Sequence, residues 1–331
     1  MTSPIPASSN QTPIQRAWKI NPGLTALSIF SLILVISSIL GLIIDPRTTA
    51  ILGTPTWVKT FKFSVSTLLY GATLLWAITL VEGRARRIAN IAANAVGWIL
   101  VVELVLLVVQ GARAEPMHYN ISSPLNATLW SIMGIGIFTM LGCFIVLSIN
   151  VWRGINTTPV LAWAVRLGMI VTALGLLQGN LMPGPTPAQL EALQAGQQLA
   201  LIGAHTVGSS SLTPDNGPGL PLVGWSTVHG DLRIGHFIGI HALQLIPLLG
   251  IFLAGRRERW LLEGHRIGLL LIASVSYLGL VALVTWQALR GQSIIAPDTT
   301  TITAFVGIAA IALVSSLIVI AHARTTRKVI A

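Results

Sequence analysis

Eight apolar stretches, each about twenty residues long and nearly free of charge, constrain this chain more than any other feature. They lie near 24–44, 63–82, 89–111, 127–151, 160–181, 236–255, 267–289 and 302–322. A helix of about twenty residues crosses a hydrocarbon core of about 30 Å and satisfies its own backbone hydrogen bonds where no water can. The stretches therefore predict an all-α, polytopic integral membrane bundle of eight transmembrane helices. Composition agrees, because only 9% of the 331 residues are charged, against about 25% in soluble domains. The first stretch lacks a small-residue cleavage site and reads as a span, not as a removed signal peptide. Cys143, the one cysteine, lies inside an apolar stretch. Neither a disulfide nor a thiolate metal site can therefore form within one chain.

The net charge is +10. In a soluble chain it would point to nucleic acid. Here the cations sit in short loops between apolar stretches and act as topology signals, so no nucleic-acid partner is expected. Arg16 and Lys19 precede the first span. Arg84, Arg86 and Arg87 follow the second, and Arg153 ends the fourth. Arg256, Arg257, Arg259 and Arg266 follow the sixth, and Arg324, Arg327 and Lys328 follow the eighth. These alternate loops hold 13 of the 20 Lys and Arg residues. The opposite side holds Arg47, Lys59, Lys62, Arg113, Arg233 and Arg290, and Arg166 lies early in the fifth span. The positive-inside rule makes the first set cytoplasmic, with both termini there and the protein in the plasma (inner) membrane.

The spans also show a repeat. Lys59, Lys62 and Phe63 enter the second span, and Arg233, His236 and Phe237 enter the sixth, 174 residues later. Gln110 and Arg113 close the third, and Gln287 and Arg290 close the seventh, 177 residues later. Thr128 and Gly134 open the fourth, and Thr301 and Gly307 open the eighth, 173 residues later. The same order at similar offsets suggests a parallel duplication of a four-helix unit. The expected organisation is a tail over 1–23, a first half over 24–153, a second half over 154–323 and a tail over 324–331. The second half carries an insertion at 183–235. There Thr186, Pro187 and Gln189 form a capping box with proline in the first turn, predicting a helix to about Ile202. Gly208 to Gly224 reads as loop.

Most unusual polar residues fall on the extracytoplasmic side, including His118, His205, His229, His236 and His241, five of the seven histidines. Glu103 is the one acid deep in a span, and an intramembrane carboxyl faces the protein interior or a cavity. It shares a helix face with Gln110. His241 and Gln244 share a face of the sixth span. The set Lys59, Lys62, Glu103, Gln110, Arg113, His118, Asn120, Asp231, Arg233, His241, Gln244 and Arg290 is therefore the candidate ligand-binding group. Converging Lys and Arg side chains attract carboxylates and phosphates, or the headgroups of the lipid bilayer around them. His118, His229, Asp231 and His236 are enough in number for a metal ion, although their spacing matches no standard ligand motif. Bis-histidine haem is disfavoured, because only His241 lies well inside a span. No Walker loop, dinucleotide fingerprint, His-Glu-x-x-His or nucleophile elbow is present. Three classes of function remain: binding or transport of a small anionic solute or lipid headgroup, an outer-face enzyme using His, Asp and Glu, and a structural or assembly subunit.

Overall fold

The computed structural model describes residues 11–330 except 257 and 259, and of residues 327–330 the backbone alone. Arg257 and Arg259, and the side chains of Arg327 and Lys328, thus lie outside the described residues, as do the first ten positions. Among the described residues eight helices are long and apolar enough to cross a membrane, and the protein is a multi-pass α-helical membrane protein.

The first helix, α1 (Pro13–Ile20), precedes the spans and went unforeseen, because hydropathy gives no signal there. Its signal is local: the Thr12 hydroxyl accepts from Gln15 N at 3.2 Å, and the Gln15 side chain accepts from Thr12 N at 2.9 Å. Ile14 and Trp18 are exposed beside Arg16 and Lys19, the composition of a helix lying in a bilayer interface. Asn21 ends α1 and caps α2 (Pro22–Ile44) by accepting from Leu24 N at 2.9 Å.

Then come α3 (Thr56–Thr79), α4 (Gly83–Ala112), α5 (Pro124–Gly154) and α6 (Pro159–Gln178). Inside the insertion lies α7 (Pro187–Gln194), followed by α8 (Leu232–Ala254), α9 (Glu263–Leu289) and α10 (Thr299–Ile330). The start of α3 lies seven residues before the apolar stretch. Hydropathy counts Lys59 and Lys62 against a span, but a helix carries both, since long aliphatic stems let an ammonium reach the surface. In α7 the expected capping box is present, yet the helix stops at Gln194 and does not reach Ile202. Gly196 turns the chain at φ +78° and its amide returns to Leu193 O at 3.0 Å, leaving 197–205 outside any helix.

Successive spans alternate in direction, so both described ends lie on one face, the terminal face. The connections 45–55, 113–123, 179–231 and 290–298 lie on the other, the loop face. Within the first four spans, α2, α3 and α4 pack on one another and α5 leans on α4. Within the last four, α6, α8 and α9 pack on one another and α10 leans on α9. The two groups meet at α5 against α6 and at α3 against α8. At the first junction Arg166 donates to Trp152 O and its guanidinium lies over the Trp152 and Trp163 rings.

Lipid tails are as apolar as leucine, so helices in a bilayer associate through close packing and not through hydrophobic burial. Glycine makes that packing possible at two crossings. A Cβ on Gly97 of α4 would overlap the backbone of Gly23 in α2, and Gly175 of α6 and Gly239 of α8 abut in the same way. Gly97→Val is expected to abolish the folded monomer in detergent, whereas Gly134→Ala, with open space around it, should leave it unchanged. Size-exclusion chromatography of the two variants checks this.

Candidate functional site

The site lies on the loop face, where the insertion folds against α3, α8 and the connection from α4 to α5. Two short pairings hold it there. Ile202 N donates to Tyr119 O and Ile121 N to Ala200 O, both at 2.9 Å. Thr206–Val207 pairs antiparallel with Gly230–Asp231 ahead of α8. Between these pairings sits His205, 8% exposed.

His205 Nδ1 lies 2.5 Å from Asp215 Oδ2. Asp215 also accepts from His205 N at 3.0 Å, Thr206 N at 3.0 Å and the Thr206 hydroxyl at 2.8 Å. Burial alone would raise this carboxyl's pKa. The charge and hydrogen bond of His205, with Arg233 and the Thr206 hydroxyl, outweigh burial and hold it far below the usual range. Burial pushes His205 below the ordinary histidine value, and Asp215 only partly restores it. His205 Nε2 has no hydrogen-bond partner among the described residues.

His118 stands beside this pair, its ring centroid 6.4 Å from that of His205. Phe63, Tyr119 and Trp130 enclose it at 5.7, 6.0 and 5.6 Å. Burial, then the charge of Lys59, depress its basicity strongly. Tyr119 packs on His205 at 5.0 Å, and burial raises its phenol well above the normal range. Lys59 lies close enough to interact electrostatically with Arg233, Lys62 and Asp215. A cavity of about 130 Å³ is lined by Asp215, Asn216, His229 and Arg233 among others.

The other residues singled out from the sequence go to different places. Arg233 is bound to Asp231 (Nη2 to Oδ2, 2.5 Å) and to Gly224 O at 2.6 Å. The carboxylate of Asp231 is spent on Arg233, on Ser226 N at 2.8 Å and on Arg233 N at 3.0 Å, where it caps α8. Lys62 donates to Val223 O at 2.8 Å and so ties the insertion to α3. Gln110 donates to Pro116 O at 3.2 Å, and Arg113 to Asn126 Oδ1 at 2.8 Å and to Gln110. Asn120 bonds Glu115 at 3.0 Å and Ser122 at 2.6 Å. Arg290 is paired with Asp298 and reaches Thr301 at 3.4 Å. These groups close helix ends and loops.

Glu103 and His241 lie on different helix seams. Glu103 is buried on the seam between α4 and α5, against Gly136, with no hydrogen-bond partner among the described residues. His241 belongs to a ladder between α3 and α8. Its Nδ1 is 3.1 Å from Gln244 Oε1, its Nε2 is 3.5 Å from the Ser66 hydroxyl, and Gln244 donates to Thr73 at 3.3 Å.

The expected metal set is dispersed: among the described residues no group of three or more His, Cys, Asp or Glu could hold an ion. His236 is spent on Gly175 O at 2.7 Å, Asp231 on Arg233 and the cap, and His118 on its aromatic surround. His229 lines the cavity in the insertion. Sequence reasoning missed Asp215 and left His205 uncommitted. The available signal was an acid in a Gly-, Pro- and Ser-rich loop of a chain with only 10 Asp and Glu. No known protein family, curated protein or solved structure matches this chain.

Proposed function

We propose that this protein binds a small anionic group at the loop face, from a free solute or a lipid headgroup, and that Lys59 receives it. One observation carries this reading. Among the described cations of that face, Arg47, Lys62, Arg113, Arg233 and Arg290 each have a hydrogen-bond or ion-pair partner, and Lys59 has none. A half-buried ammonium without a counter-charge is poorly solvated, and an incoming carboxylate, sulfate or phosphate oxygen relieves that. The test is thermal unfolding of purified protein in neutral-lipid nanodiscs. Sulfate should raise the transition temperature above that in chloride of equal ionic strength. Nanodiscs of anionic lipid should reproduce the shift without sulfate if the natural source is a headgroup. No anion-specific shift in either arm overturns the reading.

A second reading, an acid–base enzyme, is favoured by the His205–Asp215 pair, in which a carboxylate orients an imidazole as in many general bases.

The loop face is assigned to the extracytoplasmic side of the plasma membrane, in support of which the described loop cations are concentrated on the terminal face. In a variant lacking Cys143, a membrane-impermeant maleimide should label Ser211→Cys in intact cells and spare Glu263→Cys until lysis. The reverse pattern overturns the orientation. The two four-helix groups are read as parallel duplicated halves. In support, the end of α4 and the end of α9 use one device: Gln110 reaches Pro116 O and Gln287 reaches Ser293 O, six residues on in both, at 3.2 and 2.8 Å. Ala114 and Gly291 follow with φ +55° and +72°, and Arg113 and Arg290 each clasp the next helix.

A further inference from the structure

The anion site described above contains a second device that anion binding alone does not use. His205 is held from two directions. Its Nδ1 is committed to Asp215 at 2.5 Å, and its own amide also bonds that carboxylate at 3.0 Å. The ring therefore cannot turn without breaking the Asp215 contacts, and its tautomer is set: the proton sits on Nδ1 and the lone pair on Nε2. That lone pair has no partner among the described residues, although the side chain is only 10% exposed. Tyr119 packs on the ring at 5.0 Å and His118 lies 6.4 Å away.

Among the described residues, the charged and titratable groups around His205 come from four elements. Asp215, from the insertion itself, favours the imidazolium. Lys59 from α3 and Arg233 from α8 oppose it. His118 faces it from the connection between α4 and α5, and Tyr119 packs against it neutral. With the site empty, two cations and burial hold His205 uncharged near neutral pH. An anion seated on Lys59 cancels one of the two opposing charges and adds negative charge of its own. Only one group nearby is both oriented and unpartnered, so it can take up the balancing charge.

Resting on the anion-binding reading, we propose that His205 Nε2 accepts a proton from solvent when an anion reaches Lys59, so that anion and proton are bound together. The balance is simple. The proton leaves water or hydronium and forms an N–H bond at Nε2, and the Nδ1–H stays on Asp215. The proton offsets one of the negative charges that the anion brings, the whole charge of a monoanion and half that of sulfate. His118 is the less suited acceptor, because among the described residues no carboxylate orients its ring nitrogens.

The sign follows from linkage. If binding takes up a proton, affinity rises as pH falls, by up to about tenfold per pH unit while the empty site is unprotonated. The experiment is calorimetric titration of the whole protein in neutral-lipid nanodiscs with sulfate, which does not titrate near neutral pH. Titrations run near pH 7 in buffers of different ionisation enthalpy, and the slope of heat against that enthalpy counts protons. The expected result is close to one proton taken up per sulfate, with affinity about tenfold tighter at pH 6.5 than at pH 7.5. In His205→Gln, sulfate should still bind with the proton count near zero. Binding with no proton uptake in the wild type overturns this inference and leaves the anion site standing. Uptake that persists in His205→Gln and vanishes in His118→Gln overturns the assignment to His205. Absence of sulfate binding overturns both readings. Should His205→Gln fail to fold, His205→Asn carries the same test, with a proton count near zero expected and persistent uptake overturning the assignment.

Discussion

Lys59→Gln is expected to weaken sulfate binding by about thirtyfold or more while leaving the protein folded. Removing one member of a desolvated charge pair typically costs 2–5 kcal/mol. The lower end applies here, because Lys59 is only half-buried and water screens part of the interaction. The folded state should tolerate the change, since the Lys59 ammonium bonds to nothing among the described residues. The control is Arg290→Gln. Charge and position alone made Arg290 an equal candidate, but its guanidinium is tied to Asp298 and lies over the Trp286 ring. Sulfate affinity should therefore be unchanged in that variant. Calorimetry on the two proteins decides, and equal losses in both would mean that a diffuse cationic surface, not Lys59, attracts the anion.

Asp231→Ala should produce the largest loss of stability on the loop face. Its carboxylate is wholly buried and accepts from the Arg233 guanidinium, Arg233 N and Ser226 N. Removing it strands the Arg233 charge, uncaps α8 and frees the strap at Ser226. Breaking a buried pair from one side costs about 3–5 kcal/mol, and loss of the cap is part of that penalty. A fall of about ten degrees in the apparent transition temperature is the expected scale. Asp231→Asn, which keeps an oxygen for the cap and loses the charge, should fall in between. A change within two degrees for Asp231→Ala would show that Arg233 finds full compensation in Gly224 O, which it already contacts at 2.6 Å.

These two residues also show where reading the sequence stops. Lys59 and Asp231 were both legible as polar groups near one membrane face, yet their roles are opposite. Asp231 is consumed by its neighbours and Lys59 is left over. That difference depends on which side chains meet, and residues 59, 118, 205, 215 and 233 are brought together only by the insertion folding back onto three separate elements. His205 and Asp215 are ten residues apart in an irregular loop with no period to place them on a common face. Glu103 and His241 were expected to share a cavity from depth and helix phase. The rotation of α4 toward α5 sends Glu103 to a different seam from the one that holds His241. Helix phase relates residues within one helix and says nothing about which neighbour a face will meet.

By itself the sequence determined the number of spans, their approximate limits, their alternation and the concentration of cations on one face. Each follows from the transfer of about twenty consecutive side chains and their backbone into a medium without water, a local property of the chain. It also determined the capping box at Thr186, because those bonds close within three residues; the same local signal at Thr12 was passed over. Tertiary structure alone decided that Arg113, Arg233 and Arg290 are satisfied and that, among the described residues, the four expected metal ligands form no ion-holding group and Lys59 has no partner. Each of these depends on hydrogen bonds and contacts between distant segments, and pairing of that kind has no periodic trace in the order of residues.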